Sequence, residues 1–188
     1  MKMLKKLLAV VLTGAMALTL LTACGGNAVG NAVTEKDIAD ALNDIAKAND
    51  EDVTFKPQAA EREMAQKIAA LLDGKTTYEE GKTEIKNEIE KILGIDENGA
   101  NKTSCFVWYL RFDANEIGVT GQAYQIVDHL LNPNGAENYD KVHNKNNQEQ
   151  EPADTHYMGT ALCKMPGDDG QQVTMRVIVV TADAVNAD

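Results

Sequence analysis

The side chains that could do chemistry in this chain of 188 residues are three histidines and one glutamate of its C-terminal half. Imidazole and carboxylate groups together suit a divalent metal or proton transfer near neutral pH. Their spacing is not that of a metal-ligand motif, and no two histidines lie four residues apart on a helix. The alternative is that each histidine is solvated or holds a single hydrogen bond. We therefore assign no catalytic residue, metal or cofactor, and keep as a possible cleft the set His129, Glu137, His143 and His156.

Cys105 and Cys163 are a second group of reactive side chains, and both lie in strand-like segments. Outside the cytoplasm, two cysteines on neighbouring strands could close a disulfide. The alternative is a pair of buried thiols that pack as small apolar side chains. A cysteine–histidine nucleophile is disfavoured, because burial in apolar surroundings raises the pKa of a thiol.

The third cysteine, Cys24, ends a pattern typical of a bacterial lipoprotein signal. The apolar run 7–21 is short for a membrane span of roughly 20 residues, and it follows a basic start formed by Lys2, Lys5 and Lys6. The residues Leu21-Thr22-Ala23 then match a lipobox, in which small side chains admit the backbone to a peptidase and the cysteine carries diacylglyceryl. We predict a signal peptide over residues 1–23 and lipid attachment at Cys24. An ordinary signal peptide followed by a chance cysteine is the alternative.

The net charge of the chain limits the classes of partner that it can bind. There are 18 basic and 29 acidic residues, and the predicted signal contains three of the basic ones and none of the acidic ones, so the exported part carries about −14. This charge argues against binding of nucleic acid, whose phosphates need Lys and Arg partners. It also argues against electrostatic binding to anionic lipid. We expect the protein outside the cytoplasm, held at the cell membrane by the lipid on Cys24.

Hydrophobic spacing predicts the elements that must position these side chains. The first helix begins at Thr34, which can form a capping box with Asp37. A second helix has Pro57 in its first turn and closes at Asp73-Gly74, and a third ends at Gly94. The period then changes, because Cys105–Phe112 alternates as a strand with both faces apolar and is therefore expected to be covered on both sides.

The C-terminal half continues with a helix and a hairpin. The helix is Gln122–Leu131, and Lys141–Asp154 is predicted as a long exposed loop. The hairpin joins Tyr157–Met165 to Val173–Thr181, with the apolar run Val177–Val180 at the centre of the sheet. The length of the chain is that of one globular domain, predicted over residues 34–188. A lipid anchor and flexible tether over residues 24–33 precede this domain.

Several segments resemble the CAP or SCP-like superfamily of cysteine-rich secretory, antigen and pathogenesis-related proteins. Leu42-Asn43 with Val53-Thr54-Phe55 is similar to its opening Leu-Asn…Leu-x-Trp pattern, and Ala59–Leu72 to its alanine-rich second helix. Ile126–Gly135 looks like the family helix that ends in Trp-x-x-Ser-Pro-Gly-His, and Thr155–Ala161 looks like the strand entry with Gly-x-Gly/Ala. The resemblance implies an α/β (α+β) fold, an α-β-α sandwich with a small, mainly antiparallel sheet between helices.

The cleft of that family usually carries two His and two Glu, and this chain departs from the pattern. The family's His after Pro-Gly would fall near Ala136, and the second helix contains no His. The resemblance therefore implies a scaffold acting as a non-enzymatic binding module for a protein, a wall polymer or a lipid. Two alternatives stay open, namely an extracellular hydrolase or protease-like domain that uses the His and Glu residues, and an envelope structural lipoprotein of unrelated α+β fold.

Overall fold

Two pairs of helices cover the opposite faces of one five-stranded mixed sheet. The computed structural model describes residues 30–75, 82–95, 105–115, 117–131, 138–139, 150–167 and 170–186. The helices of this part are α1 (Glu35–Ala48), α2 (Ala59–Leu72), α3 (Lys82–Ile92) and α4 (Val119–Leu131). The strands are β1 (Thr54–Pro57), β2 (Cys105–Asp113), β3 (Asn138–Tyr139), β4 (Gln150–Pro166) and β5 (Gln172–Asn186).

The strand order is β1-β4-β5-β2-β3. β1 pairs with β4 in parallel, and the other three pairings are antiparallel. Both β1, with four residues, and β3, with two, are short edge strands. The predicted fold class is confirmed, since a mainly antiparallel sheet lies between two layers of helices.

The alternation predicted for β2 decides what each face of the sheet packs against. Its Phe106, Trp108, Leu110 and Phe112 join the core formed with α1 and α4. Its Val107 and Tyr109 join the core formed with α2 and α3. The run Val177–Val180 of β5 is 0 % exposed, which confirms that β5 is central. Burial on both faces explains why Cys105–Leu110 of β2 and Val177–Val180 of β5 are apolar at every position.

Helix ends follow the predicted local chemistry. The Thr34 hydroxyl accepts from the backbone N–H of Asp37 at 3.2 Å, and the Asp37 carboxylate accepts from the backbone N–H of Thr34 at 2.9 Å. This confirms the capping box of α1. Gly94 follows α3 with φ +73°, a left-handed conformation that closes helices and favours glycine.

The structure differs from the predicted elements at β4 and β5, which are longer than the hairpin pattern. Residues 150–154, predicted as loop, belong to β4, where Gln150–Pro152 pairs with Ala184–Asn186. The pairing then shifts register at Pro152/His156. These residues are polar because this end of the ribbon extends beyond the neighbouring strands and stays partly in water.

A second difference concerns the start of the domain. Residues Gly30–Ala32 form a 3-10 turn, Gly30 is buried, and Val33 is 2 % exposed within the core. The last four residues of the predicted tether therefore belong to the globular domain. Within the described residues no helix combines the length and apolar character needed to cross a membrane.

Candidate functional site

His156 lies on β4 at the centre of an aromatic cluster. Its ring centroid is 5.2 Å from that of Phe55 and 5.4 Å from that of Trp108, which stacks on it at an interplanar angle of 24°. The side chain is 7 % exposed, and its Nδ1 has no hydrogen-bond partner among the described residues. Burial lowers the pKa of His156. A hydrogen bond with the backbone of Asp154 and the charge of Asp154 act in the opposite direction and raise it. The neutral imidazole therefore behaves as a core aromatic.

The register of the sheet explains how Trp108 reaches across β5 to His156. His156 and Phe106 lie opposite the same residue of β5, Ala182. Trp108 lies two residues further along β2, and its ring stacks on both Phe106, at 5.8 Å, and His156. The aromatic side chains of Phe106 and Trp108 thus belong to the core.

His129 occupies a different place, on the inner side of α4. Its Nε2 lies 3.0 Å from the backbone carbonyl oxygen of Tyr109, in β2. Burial lowers the pKa of His129, while the Tyr109 carbonyl and the Asp128 carboxylate oppose that shift. The imidazole fastens the helix to the sheet, which is the single-hydrogen-bond alternative considered from the sequence.

The structure does not bring His129 and His156 together into one cleft. His129 contacts Tyr109, which lies two strands away from His156 across the sheet and three residue positions away along the strands. Each of these two separations is roughly 10 Å. Glu137 and His143 lie outside the described residues. Among the residues that the structure does describe, no three His, Cys, Asp or Glu side chains form a group that could hold a metal ion.

The two strand cysteines are not joined by a disulfide. Cys105 lies opposite Asp183 and Cys163 opposite Met175, on the two sides of β5. Eight residues along a strand are about 26 Å, whereas bridged cysteines have Cα atoms within about 7 Å. The disulfide hypothesis is therefore wrong, because the two strands are not neighbours. Burial, followed by the charge of Asp73, raises the pKa of the Cys163 thiol, which disfavours a nucleophile there.

Arg176 is the most deeply buried charged side chain of the described residues, at 2 % exposure. Its Nη2 donates to the carbonyl of Val33 at 2.7 Å and to that of Gly30 at 3.5 Å, and its Nη1 donates to the Thr160 hydroxyl at 3.2 Å. Burial lowers the pKa of Arg176, and the charge of Glu35 opposes this. The guanidinium remains protonated and is compensated mainly by main-chain dipoles of the N-terminal turn.

Gln122 of α4 holds the same turn from the other side. Its Nε2 donates to the carbonyls of Gly30 and Ile117, both at 2.9 Å, while the Gly30 N–H donates to the Ile117 carbonyl at 2.9 Å. Gln122 is 0 % exposed. We call this arrangement the N-terminal clasp, defined by Gly30, Val33, Ile117, Gln122 and Arg176.

A partly exposed ion pair adjoins the clasp. Both Nε and Nη2 of Arg62 donate to Oε1 of Glu35, at 3.1 and 2.6 Å, and Oε2 of Glu35 accepts from the Thr160 N–H at 2.8 Å. Glu35 opens α1, Arg62 lies in α2 and Thr160 in β4. The Glu35 carboxylate of α1 therefore links α1 to α2, on the opposite face of the sheet, and to the main chain of β4. Its contacts hold the fold together.

The start of α2 lies directly against β4. A Cβ atom at Gly159 would overlap the backbone of Glu61 and Arg62. Beside this contact the Glu61 carboxylate is 4 % exposed and its Oε1 accepts from the Thr181 hydroxyl at 2.7 Å. The close approach of backbone to backbone requires glycine at this position.

An open, polar cleft of about 570 Å³ lies at the C-terminal end of α1, between Asn43, Lys47 and residues 50–54. Both polar atoms of Asn43 are already used, since Oδ1 accepts from the Phe55 N–H at 2.7 Å and Nδ2 donates to the Phe55 carbonyl at 3.0 Å. The Asn43 side chain thus caps the main chain of β1 at Phe55 and also lines the cleft.

Sequence reasoning missed the clasp, although one signal was present. Arg176 is a charged residue directly before the apolar run Val177–Val180, and Gln122 lies on a helix that is apolar on its inner side. Polar residues at core positions indicate a buried partner. That partner is a main-chain carbonyl, which no side-chain motif reveals. Comparison of the chain with protein-family models, with curated proteins and with solved structures finds no match.

Proposed function

We propose that this chain is a lipid-anchored protein of the bacterial cell surface whose domain is a non-enzymatic binding module of CAP/SCP-like type. Its ligand is a protein, a wall polymer or a lipid. The three-layer sandwich is compatible with that resemblance and is shared by many unrelated proteins, so the proposal depends on the site.

The observation that carries the proposal is the placement of His156 between Phe55 and Trp108. A general base must present a lone pair within hydrogen-bond reach of the substrate proton. The His156 ring is enclosed instead, and the Nε2 atom of His129 is engaged with the Tyr109 carbonyl. These two members of the predicted histidine set therefore stabilise the fold, which favours binding over hydrolysis.

The anchor rests on the lipobox that ends at Cys24, with the charge of the exported part in support. Two acyl chains meet the two-signal requirement for lasting membrane attachment. An acidic globule of about −14 stays hydrated above the bilayer. The lipid thus holds the domain at the membrane, and the acidic charge keeps the domain in water.

Catalysis is tested with purified wild-type protein and the His156→Phe variant, which keeps the aromatic contacts. Both are incubated with insoluble cell-wall fragments and with a peptide mixture, and soluble products and cosedimented protein are measured. We expect no product from either protein and equal cosedimentation. Product released by the wild type and lost in His156→Phe or His129→Gln would contradict the proposal and support the hydrolase.

The anchor is tested by metabolic labelling with a radioactive fatty acid. The Cys24→Ala variant should incorporate no label, while Cys105→Ala should incorporate as much as the wild type. Undiminished labelling of Cys24→Ala would show that the fatty acid is attached at a residue other than Cys24.

A further inference from the structure

The N-terminal clasp lies at one end of the sheet. Arg176 is opposite Phe112, one residue before β2 ends, and opposite Leu162, four residues before β4 ends. Ile117, which binds Gly30, lies just beyond β2. The chain therefore enters the domain at the end that carries the β4–β5 turn, which we call the clasp end.

The opposite end of the sheet is formed by the β4–β5 ribbon, where Gln150–Pro152 pairs with Ala184–Asn186. We call it the ribbon end. Ten residues separate Arg176 from Asn186 along β5, which is about 33 Å of extended strand. Val185, at 41 % exposure, is one of the few large apolar side chains that the described surface presents to solvent.

The link between the lipid site and the clasp is short. Six residue steps separate Cys24 from Gly30, so the fully extended chain spans at most about 22 Å. If the strands stood upright with the ribbon end on the bilayer, Gly30 would lie about 33 Å above it. The link cannot reach that height, whereas the clasp end meets no such limit.

We propose that the clasp fixes the orientation of the anchored domain, with the clasp end toward the phospholipid surface and the ribbon end outward. This inference rests on the proposed lipid attachment at Cys24. Gln122 and Arg176 are the positioning residues, because their bonds to Gly30 and Val33 hold the last four residues of the predicted tether in the domain, where they cannot lengthen the link.

The experiment uses full-length lipidated protein in phosphatidylcholine vesicles that contain a headgroup spin-labelled lipid as quencher. A bimane fluorophore is placed at the clasp end by Gln172→Cys or at the ribbon end by Asn186→Cys, both exposed positions. The background is Cys105→Ser, and the same protein without an added cysteine measures residual labelling. Quenching at position 172 should exceed quenching at position 186 by at least about twofold, since the short link limits the approach of the ribbon end.

A matched variant lengthens the link without changing the domain. Inserting about 20 Gly and Ser residues after Gly26 raises the reach beyond the length of the domain, so the quenching difference should largely disappear. Equal quenching at the two positions in the original protein, with the lipid on Cys24 verified by mass, would overturn the orientation and leave the anchor intact. Absence of lipid on Cys24 would overturn the proposed anchor and the orientation together.

Discussion

The Arg176 guanidinium donates to the main-chain carbonyl of Val33, 143 residues earlier in the chain, at 2.7 Å. A buried cation normally requires an opposite charge or several hydrogen bonds. Here main-chain oxygens of the N-terminal turn and the Thr160 hydroxyl supply them, with Glu35 nearby. The first residues of the domain are thereby part of its core.

Replacing Arg176 by Met should destabilise the domain by about 3 kcal/mol, because the Val33 carbonyl and the Thr160 hydroxyl lose a buried donor. Urea unfolding measures the free energy, and hydrogen exchange of the Val33 amide measures the local effect. Lys164→Met, which removes an exposed cation of β4, is the control and should change stability by less than about 0.5 kcal/mol. An unchanged exchange rate at Val33 in Arg176→Met would contradict the role of the clasp.

Gly159→Ala should cost more than about 3 kcal/mol or prevent folding, since the added methyl group meets the backbone of α2. Gly121→Ala is the matched comparison. Its Cβ would lie 2.7 Å from Cγ2 of Ile117, a side chain that can shift, and alanine favours the helix by about 1 kcal/mol. The measurement is thermal unfolding by circular dichroism. Similar melting temperatures for the two variants would show that α2 does not lie as close to β4 as described.

The two buried histidines should make the domain less stable in mild acid. Burial lowers the pKa of His129 and of His156 below the ordinary 6.5. Below that pH the unfolded chain binds protons that the folded chain does not, so this contribution is complete above pH 6.5 and is lost as the pH falls toward the folded-state pKa values.

His156→Phe tests the assignment, because phenylalanine keeps the contacts with Phe55 and Trp108 and cannot be protonated. The free energy of unfolding in urea, measured at pH 7.5 and at pH 5, should decrease less in the variant than in the wild type. Equal decreases in the two proteins would mean that the His156 imidazole is not buried in its neutral form.

Cys105 and Cys163 should both be found as thiols in protein isolated without reductant. Their positions opposite Asp183 and Met175 leave them too far apart to bond to each other. Alkylation after unfolding, followed by peptide mass spectrometry, should modify both residues. A peptide pair linked through Cys105 and Cys163 would contradict the strand order.

Local patterns predicted the parts of the fold that local chemistry decides. The alternation of Cys105–Phe112 predicted β2 and its two faces, and Thr34 with Asp37 predicted the start of α1. Val177–Val180, apolar at every position, predicted the central strand. Each of these signals lies within a few residues of the element that it describes.

Other parts depend on contacts between distant segments and could not be predicted in this way. β1 has four residues and is a strand because it pairs with Thr155–Met158, about a hundred positions later. His156 is a core aromatic because Phe55 and Trp108, from two other strands, pack against its ring. Gly30 and Val33 are in the core because Arg176 binds their carbonyls, although their composition is that of a tether.

The central claim is that Cys24 is the lipidated first residue of the exported protein. Its most direct test is mass spectrometry of the intact protein extracted from membranes with detergent, followed by sequencing of the N-terminal peptide. We expect a chain that begins at Cys24 and carries the mass of a diacylglyceryl group on its sulfur. A chain recovered from the cytosol that begins at Met1 without added lipid mass would contradict it.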